Sequence, residues 1–280
     1  LFPMTTRQAP AALPPEIPEH SLRHALREQV SVIWALMMRE VMTRFGRHKL
    51  GYLWVFLEPT IHIGVWFVIR LVIRAGGGAA DMSPWLFLGT GVMPLITFMQ
   101  MNSYVGGAIS ANGALLAFPP VKTLDTIAAR FLLESGTLIV VAVVLFTGLV
   151  AFGVATWPDS LGTLALAGGG MALLGLGFGI CKAIATAFFP VAGQLNVIVV
   201  RVLYLTSGIF FDPEKLPPDI QYWLSFNPCL HGVQLFRHGY SNLYVTNLAD
   251  PWYLFSWALG LVALGLLLER ITRHRMKDLP

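Results

Sequence analysis

Six apolar segments, each long enough to cross a lipid bilayer, constrain this chain more than any other feature. They cover about residues 52–73, 85–108, 128–152, 161–188, 193–211 and 252–268, and a helical span requires about 20 mostly apolar residues. Of the 280 residues, 55% are hydrophobic and 12% are charged, whereas soluble domains carry about 25% charged residues. The sequence therefore predicts an all-α polytopic membrane protein whose six transmembrane helices form one domain over residues 51–268.

Lys and Arg residues gather at the two ends of the chain. Seven precede Gly51, and four more follow the last apolar segment, namely Arg270, Arg273, Arg275 and Lys277. Six spans place both termini on one side of a membrane, and cytoplasmic segments are the ones enriched in Lys and Arg. We therefore expect both termini in the cytoplasm, with a disordered Pro-rich tail at residues 1–20 and a second tail at 269–280. The net charge of +4 is explained by this topology, and no nucleic-acid partner is expected.

Residues 21–50 are amphipathic and carry too many charges to span a bilayer. Their apolar residues recur at helical spacings of three and four: Leu22, Leu26, Val30, Ile33, Met37 and Val41. Such a pattern is typical of a helix with one apolar face. We expect an interface helix that lies on the cytoplasmic membrane surface or docks onto a cytoplasmic partner.

A basic cluster precedes the first span and consists of Arg44, Arg47, His48 and Lys49. Tyr52 and Trp54 follow it, and aromatic residues of this kind favour the headgroup level of a membrane. Two interpretations are open. The cluster is an ordinary anchor that contacts membrane lipids, or it receives an anionic lipid-linked sugar from the inner leaflet while Tyr52 and Trp54 stack on sugar rings.

The segment between the fifth and sixth spans, about residues 212–250, is interrupted by four prolines. It contains two semi-apolar pieces, at about 219–226 and 229–239, that are each too short to cross a bilayer. We expect two short re-entrant helices on the outer side, because non-helical backbone is tolerated at membrane depth where protein surrounds it. The alternative is a plain folded outer loop.

The fourth apolar segment is rich in glycine. Gly175 and Gly179 form a G-x-x-x-G pair, a pattern that lets two membrane helices approach closely. We interpret the pair as a packing feature rather than a ligand site. The two cysteines, Cys181 and Cys229, form neither a disulfide framework nor a metal motif.

Five stretches of this chain resemble the motifs of one transporter family. They are TRFGRHKLGYLWVFLEP (43–59), FLGTGVMP (87–94), PPVKTLDTIAARFLLE (119–134), LTSGIFF (205–211) and LPPDIQYWLSFNPCLHGVQLFR (216–237). In this order they resemble the membrane subunit of type 2 ABC exporters, in the KpsM group that exports capsular polysaccharide. The resemblance covers most of the chain after about residue 21. One position departs from the pattern: Gln234 stands where the family usually has an acidic residue, so a salt bridge from there to Arg237 is not expected.

The resemblance implies a multi-pass protein of the bacterial inner membrane that works as a homodimer with two cytoplasmic ATP-binding subunits. Its substrate would be a long acidic polysaccharide attached to a lipid. A periplasmic co-polymerase-like export protein and an outer-membrane channel would be further partners. The outer gate of the family corresponds here to the region of Asn227, Pro228, His231 and Arg237.

The sequence contains no G-x-x-x-x-G-K-[ST] loop, no H-E-x-x-H and no G-x-S-x-G motif. We therefore expect a pore subunit that is not an enzyme and holds no metal or cofactor, while a partner ATPase binds ATP and Mg²⁺. Coupling to that ATPase needs cytoplasmic surface. The candidate coupling residues are Arg39, Glu40, Asn112, Lys122 and Asp125, and the alternative is a merely solvated surface helix.

Several charged residues fall within the apolar segments, where charge usually faces protein or water. Arg70, Arg130 and Arg201 are candidates for lining the polymer path, because guanidinium groups bind carboxylates with two parallel hydrogen bonds. Arg130 and Glu134 lie one helical turn apart. A pair within that helix is therefore the structural alternative for these two residues.

Other functions remain as alternatives. The exported polymer could be an O-antigen or a teichoic acid, or the chain could belong to a type 2 ABC exporter of small amphiphilic drugs. A secondary transporter is disfavoured because no inverted hydropathy repeat is evident. A membrane-bound glycosyltransferase or hydrolase would need catalytic groups that the sequence does not show.

Overall fold

The computed structural model describes residues 22–45, 51–73, 82–113 and 122–276, and these ranges are helical with no β-strand. The helices are α1 (Leu22–Phe45), α2 (Gly51–Ile73), α3 (Pro84–Gly106), α4 (Ala108–Ala111), α5 (Thr123–Ala151), α6 (Leu161–Phe188), α7 (Val191–Leu205), α8 (Pro218–Leu224), α9 (Pro228–Tyr240) and α10 (Pro251–Met276), with a 3₁₀ turn at Pro213–Lys215. The tail predicted at residues 1–20 and most of the basic cluster (Arg47, His48 and Lys49) lie outside the described residues.

Four helices are long and apolar enough to cross a membrane: Pro84–Gly106, Thr123–Ala151, Leu161–Phe188 and Pro251–Arg273. Two shorter apolar helical stretches, Leu57–Ile69 and Val191–Leu205, occupy the other two predicted spans. The prediction of an all-helical chain with several membrane-spanning helices is therefore confirmed. The fifth segment is shorter as a helix than the predicted 193–211, because α7 ends at Leu205 and the chain turns at Gly208 with a φ of 74°, a backbone conformation that glycine adopts without strain.

Helix α6 is the centre of the bundle and packs against α3, α9 and α10. Its glycines allow these neighbours to approach closely: a Cβ added at Gly175 would lie 2.6 Å from the Phe98 carbonyl oxygen of α3, and one at Gly177 would lie 2.7 Å from Leu261 of α10. The predicted packing role of the Gly175 and Gly179 pair is confirmed. Two helices thus lie against opposite glycine faces of one central helix, as is common where membrane helices associate through small residues.

Successive long helices of the bundle run in opposite directions. Contacts of α6 with α3 and α10 advance in step along both partners, so these three helices run parallel; the pairs are Gly175–Phe98, Gly179–Val105, Gly170–Leu254 and Gly177–Leu261. Contacts of α3 with α2 and α5 advance in opposite senses; the pairs are Phe67–Trp85, Glu58–Gln100, Leu149–Gly89 and Arg130–Tyr104. The carboxyl end of α10 and the start of α5 therefore lie at one end of the bundle. Helix α1 packs there against α5, and we call this end the α1 end and the other the distal end.

Three helices begin with a capping side chain followed by proline. The pairs are Ser83-Pro84 for α3, Asn227-Pro228 for α9 and Asp250-Pro251 for α10. In each pair the capping oxygen accepts a hydrogen bond from a backbone N–H of the first turn. This is a strong local start signal, because the cap satisfies a helix N–H and proline lacks the one that would be orphaned.

Helices α8 and α9 are the two short helices predicted before the last span. Helix α9 lies beside the distal half of α6 and runs antiparallel to it, with Gly232 against Met171 and Gly239 against Leu164. All residues of α9 except His238 are buried. The helix therefore begins level with the middle of α6 and rises to the distal end.

Replacing Gly175 by alanine tests the close approach of α6 and α3. The added methyl would lie 2.6 Å from Met101 and from the Phe98 carbonyl oxygen, so we expect a loss of about 1–3 kcal/mol in the free energy of unfolding. The measurement is the Tm of the purified protein in detergent. The matched control is Gly168→Ala, where no atom lies within 4 Å of the added Cβ and the Tm should not fall. Equal losses in both variants would contradict the packing role.

Candidate functional site

Buried polar contacts at the α1 end join α1 to the bundle, and we call this group of side chains the clasp. At its centre Glu40 of α1 forms an ion pair with Arg130 of α5, with 3.1 Å between the carboxylate and the guanidinium. Arg130 also donates a hydrogen bond of 2.8 Å to the Tyr104 carbonyl oxygen of α3. The ion pair thus ties three helices together.

Two further side-chain contacts flank this ion pair. Gln29 of α1 donates to the Asp125 carboxylate, and Arg39 donates to the Asn112 side-chain oxygen. Asp125 also caps α5 by accepting from the Lys122 backbone N–H at 3.0 Å. The structure therefore brings Arg39, Glu40, Asn112 and Asp125 together, whereas the Lys122 side chain is exposed.

Arg130 acts here as a structural charge. Its side chain is buried, and its partner Glu40 lies on a different helix. A buried charge is tolerated when it is paired and hydrogen-bonded, and the loss of one partner leaves an uncompensated charge. This geometry favours a structural role for Arg130 in the clasp over a role in lining the polymer path.

The opposite side of α1 carries an apolar stripe that the chain leaves uncovered. Val30, Trp34 and Met42 are 64%, 59% and 71% exposed. Their spacings of four and eight residues place them along one side of the helix. Helix α1 is thus fixed to the bundle on one side and presents an apolar surface on another.

At the distal end, residues 206–250 form what we call the gate segment, which is fastened to the bundle by side chains predicted for the outer gate. Asn227 accepts from the Cys229 backbone N–H and donates to the Leu203 carbonyl oxygen and to Thr206, each at 2.8 Å. The first bond caps α9, and the other two join its start to the end of α7. Pro228, which directly follows Asn227, is buried.

His231 connects the two ends of the short-helix region. The Asp250 backbone N–H donates to Nδ1 at 3.2 Å, and Nε2 lies 2.8 Å from the Ser225 carbonyl oxygen. These partners assign the proton to Nε2, which donates to Ser225. His231 therefore bridges the end of α8 and the start of α10.

Arg237 is fully buried and binds backbone carbonyl groups rather than a carboxylate side chain at position 234. Its guanidinium donates to the Gly208 carbonyl oxygen at 2.9 Å and to Gln234 at 3.2 Å, and it lies 3.7 Å from the centre of the Phe87 ring. The guanidinium thereby supplies hydrogen-bond partners to buried carbonyl groups of the turn that follows α7. Gln234 supplies a neutral acceptor, in agreement with the departure noted in the sequence.

Tyr244 completes the fastening of the gate segment. Its hydroxyl lies 3.1 Å from both Asp212 and Gln234 and donates to this pair of acceptors. Burial raises the pKa of Tyr244 to about 12, while the positive charge of Arg237 opposes that shift. The hydroxyl therefore stays protonated and keeps its donor role across the physiological pH range.

The structure describes the side chains of only some residues predicted for the polymer path. Arg201 is exposed on α7, a helix in which only Val200 is buried among its residues. Arg44, Tyr52, Trp54 and Arg70 lie in α1 and α2, but their side chains are outside the described part of the structure, as are Arg47, His48 and Lys49 entirely. The roles of these residues stay predictions.

Sequence reasoning missed polar contacts between helices that are distant along the chain. Asn102 of α3 and Asn196 of α7 pair their side-chain amides at 2.9 Å, and His62 of α2 lies 2.6 Å from the Tyr204 hydroxyl of α7. Lys182 is a further ionisable residue within an apolar segment. That signal, an ionisable residue at membrane depth, is the one that could have singled it out. Across the described ranges no group of three metal-ligating side chains is assembled.

A double-mutant cycle on Glu40 and Arg130 tests the clasp. Glu40→Gln and Arg130→Met should each lower the free energy of unfolding by about 3–5 kcal/mol, because each removes one charge of a buried ion pair. The double variant should lose less than the sum of the two, and the measurement is thermal or denaturant unfolding of the purified protein. Arg270→Gln is the control, because Arg270 is exposed at the same end of the bundle and the loss of an exposed charge should cost at most about 1 kcal/mol. Additive effects of the two clasp substitutions would show that the ion pair is not a unit.

Comparison with known proteins identifies the family. Residues 31–240 match the family model described as ABC-2 type transporter. The chain is 33% identical over 251 residues to the capsule polysaccharide export inner-membrane protein CtrC of Neisseria meningitidis serogroup A, covering 90% of this chain and 94% of that protein. It is 33% identical over 256 residues to the polysialic acid transport protein KpsM of Escherichia coli, covering 91% and 98%. It is 30% identical over 252 residues to the capsule polysaccharide export inner-membrane protein BexB of Haemophilus influenzae, covering 89% and 94%.

These matches extend over nearly the whole length of each relative, and they agree with the helical bundle described above. In this family the membrane permease works with ATP-binding subunits, in which ATP hydrolysis resides, so the permease itself is not an enzyme. The chain belongs to the ABC-2 type transporter family as a membrane permease homologous to capsule polysaccharide export proteins.

Proposed function

We propose that this chain is one half of a homodimeric permease that moves a lipid-linked acidic capsular polysaccharide outward across the bacterial inner membrane. Two separate ATP-binding subunits on the cytoplasmic face hydrolyse ATP with Mg²⁺ and drive the transport. The observation that carries the proposal is the clasp, which fixes a surface helix to the membrane bundle by a buried ion pair. A pore without its own motor needs such a rigid connection.

The α1 end is the cytoplasmic end in this proposal. Helices α2 and α7 complete a set of six spans, and the alternating helix directions place α1 and the end of α10 together. The basic residues of the chain concentrate before Gly51 and after residue 269, which the positive-inside rule assigns to the cytoplasm. Helix α9 then dips into the bilayer from the periplasmic side, surrounded by protein along its length.

Helix α1 transmits movement in this arrangement. Its stripe of Val30, Trp34 and Met42 is apolar and uncovered, as suits a helix that lies on the inner leaflet and against an ATP-binding subunit. The clasp holds its other side to α4 and α5. A push on α1 therefore moves the bundle as a rigid body, and the two-state element is the dimer interface.

Helix α7 faces the partner protomer and the polymer path. Val197, Ile198, Val202 and Leu205 are exposed on it together with Arg201. An arginine that faced lipid at this depth would be costly, whereas one that faces protein or a hydrated path is tolerated. A guanidinium there suits carboxylates of an acidic polymer.

The substrate class follows from the relatives, whose names state capsule polysaccharide export and polysialic acid transport. On the periplasmic side we propose a co-polymerase-like export protein and an outer-membrane channel as the next partners of the complex. O-antigen, teichoic acid and small drugs are the competing cargoes that the following assay separates.

The test uses the chain co-purified with its ATP-binding subunits and reconstituted in nanodiscs. ATP turnover should rise with an acidic capsular glycolipid and not with amphiphilic drugs or neutral glycolipids. Arg201→Gln should lower export of the glycolipid in proteoliposomes by about tenfold or more, the value of one charge-assisted hydrogen bond, while Arg201→Lys should retain most of it.

Arg270→Gln is the control for charge removal, because Arg270 is exposed at the α1 end of α10. A complex whose turnover responds to drugs but not to acidic glycolipid would refute the proposed cargo. Unchanged export in Arg201→Gln would remove α7 from the polymer path.

A further inference from the structure

Lys182 is a half-buried cation on α6, near the α1 end of that helix. Throughout the described ranges its ammonium group has neither a hydrogen-bond acceptor nor an ion-pair partner. Charged residues within membrane spans are rare and usually face a partner, water or a substrate path. An ammonium group has three donors and no acceptor, and the described residues supply none of the acceptors that Lys182 requires.

The stem of Lys182 is held in a cleft between α6 and α3. A Cβ added at Gly106 would lie 2.5 Å from Cδ and 3.1 Å from Cε of Lys182, so the absence of a side chain at Gly106 makes the room for this stem. Helical side chains lean toward the amino end of their helix, which in α6 points away from the α1 end. The stem therefore packs into the bundle instead of extending to the nearest surface.

Two paired asparagine side chains lie next to this cleft along the helices. Asn102 lies one turn before Gly106 on α3, on the same face of the helix. It donates to Asn196 of α7 at 2.9 Å and accepts from it at 3.4 Å. A Cβ added at Gly193 of α7 would lie 3.4 Å from the Thr186 methyl group, one turn after Lys182 on α6. Because α6 and α7 are antiparallel, Asn196 is level with Lys182.

The cleft is therefore rich in donors. Each asparagine amide has a second N–H beyond the bond to its partner, and the positive end of the α7 dipole lies about one turn away. No carboxylate lies within ion-pair distance of Lys182 in the part of the chain that the structure describes. An oxyanion suits this combination of an ammonium group, amide donors and a helix amino end.

We propose that Lys182, Asn102 and Asn196 form a subsite for a single oxyanion at the inner-leaflet level of the permease. The subsite rests on the proposed function, in which this level is where an anionic glycolipid meets the protein. The bound group is a carboxylate of the sugar polymer or a phosphate of a lipid headgroup. Lys182 neutralises it, and the paired asparagines orient it between α3 and α7.

The experiment measures binding to the complex of this chain with its ATP-binding subunits in nanodiscs. One arm adds an oligomer of sialic acid, a carboxylated sugar, to phosphatidylcholine nanodiscs, and the other compares nanodiscs with and without phosphatidylglycerol. Lys182→Met keeps the length of the stem without its charge and should weaken binding by about tenfold or more in the arm that supplies the true ligand. Lys182→Arg should retain binding, and Asn196→Ala should give a smaller loss.

Arg270→Met is the matched control, since it removes an exposed cation at the same end of the bundle. Equal binding in wild type and Lys182→Met, an equal loss in Arg270→Met, or no binding in either arm would overturn the subsite. Export by the wild-type complex is measured in parallel. Absent export would refute the proposed function, whereas intact export with unchanged binding in Lys182→Met would refute the subsite alone.

Discussion

The buried ion pair between Glu40 and Arg130 fixes helix α1 to the membrane bundle. The two charges lie 3.1 Å apart, and the Tyr104 carbonyl oxygen draws a third helix into the same contact. Separating a buried ion pair costs free energy, because each charge loses a partner that offsets its burial. Helix α1 and the first turns of α5 are therefore expected to move together.

The rest of the fold divides into a tightly packed part and a loosely packed part. Glycines let α3, α9 and α10 approach α6 until backbone atoms touch, and Arg237 and Asn227 fasten the gate segment to this core. Helix α7 contributes only Val200 to the buried residues among those described. Under the proposed function, the partner protomer and the polymer path lie along α7, and force enters through the clasp.

The helices were predictable because their signals are local. Runs of apolar residues predicted the four helices long enough to cross a membrane and the two shorter apolar helices α2 and α7. Capping side chains followed by proline are a further local start signal, found at α3, α9 and α10. The spacing of Gly175 and Gly179 is also a local signal: it predicts close helix packing, because small residues on one face let membrane helices approach each other. The shortened α7 follows from Gly208, whose turn conformation is not visible in an apolar run.

The functional contacts could not be predicted in the same way, because they depend on how distant helices align. Local spacing offered Glu134 as a partner for Arg130, whereas the structure pairs Arg130 with Glu40 of α1. Asn102 and Asn196 are separated by 94 residues and meet only because α3 and α7 are neighbours. No periodicity within one helix encodes such a register, so these residues are identified by the three-dimensional arrangement alone.

The central claim is tested most directly by cross-linking α1 to α5 at the clasp and measuring export. Gln29 and Asp125, which form a hydrogen bond between α1 and α5, are replaced by cysteine after Cys181 and Cys229 have been substituted, and a short bifunctional reagent joins the new pair. If α1 and α5 move as one body, the joined permease retains ATP-driven export at close to the level of the unjoined control. Export that stops on joining and returns when the link is cleaved would show that the clasp opens during transport, and would contradict the account.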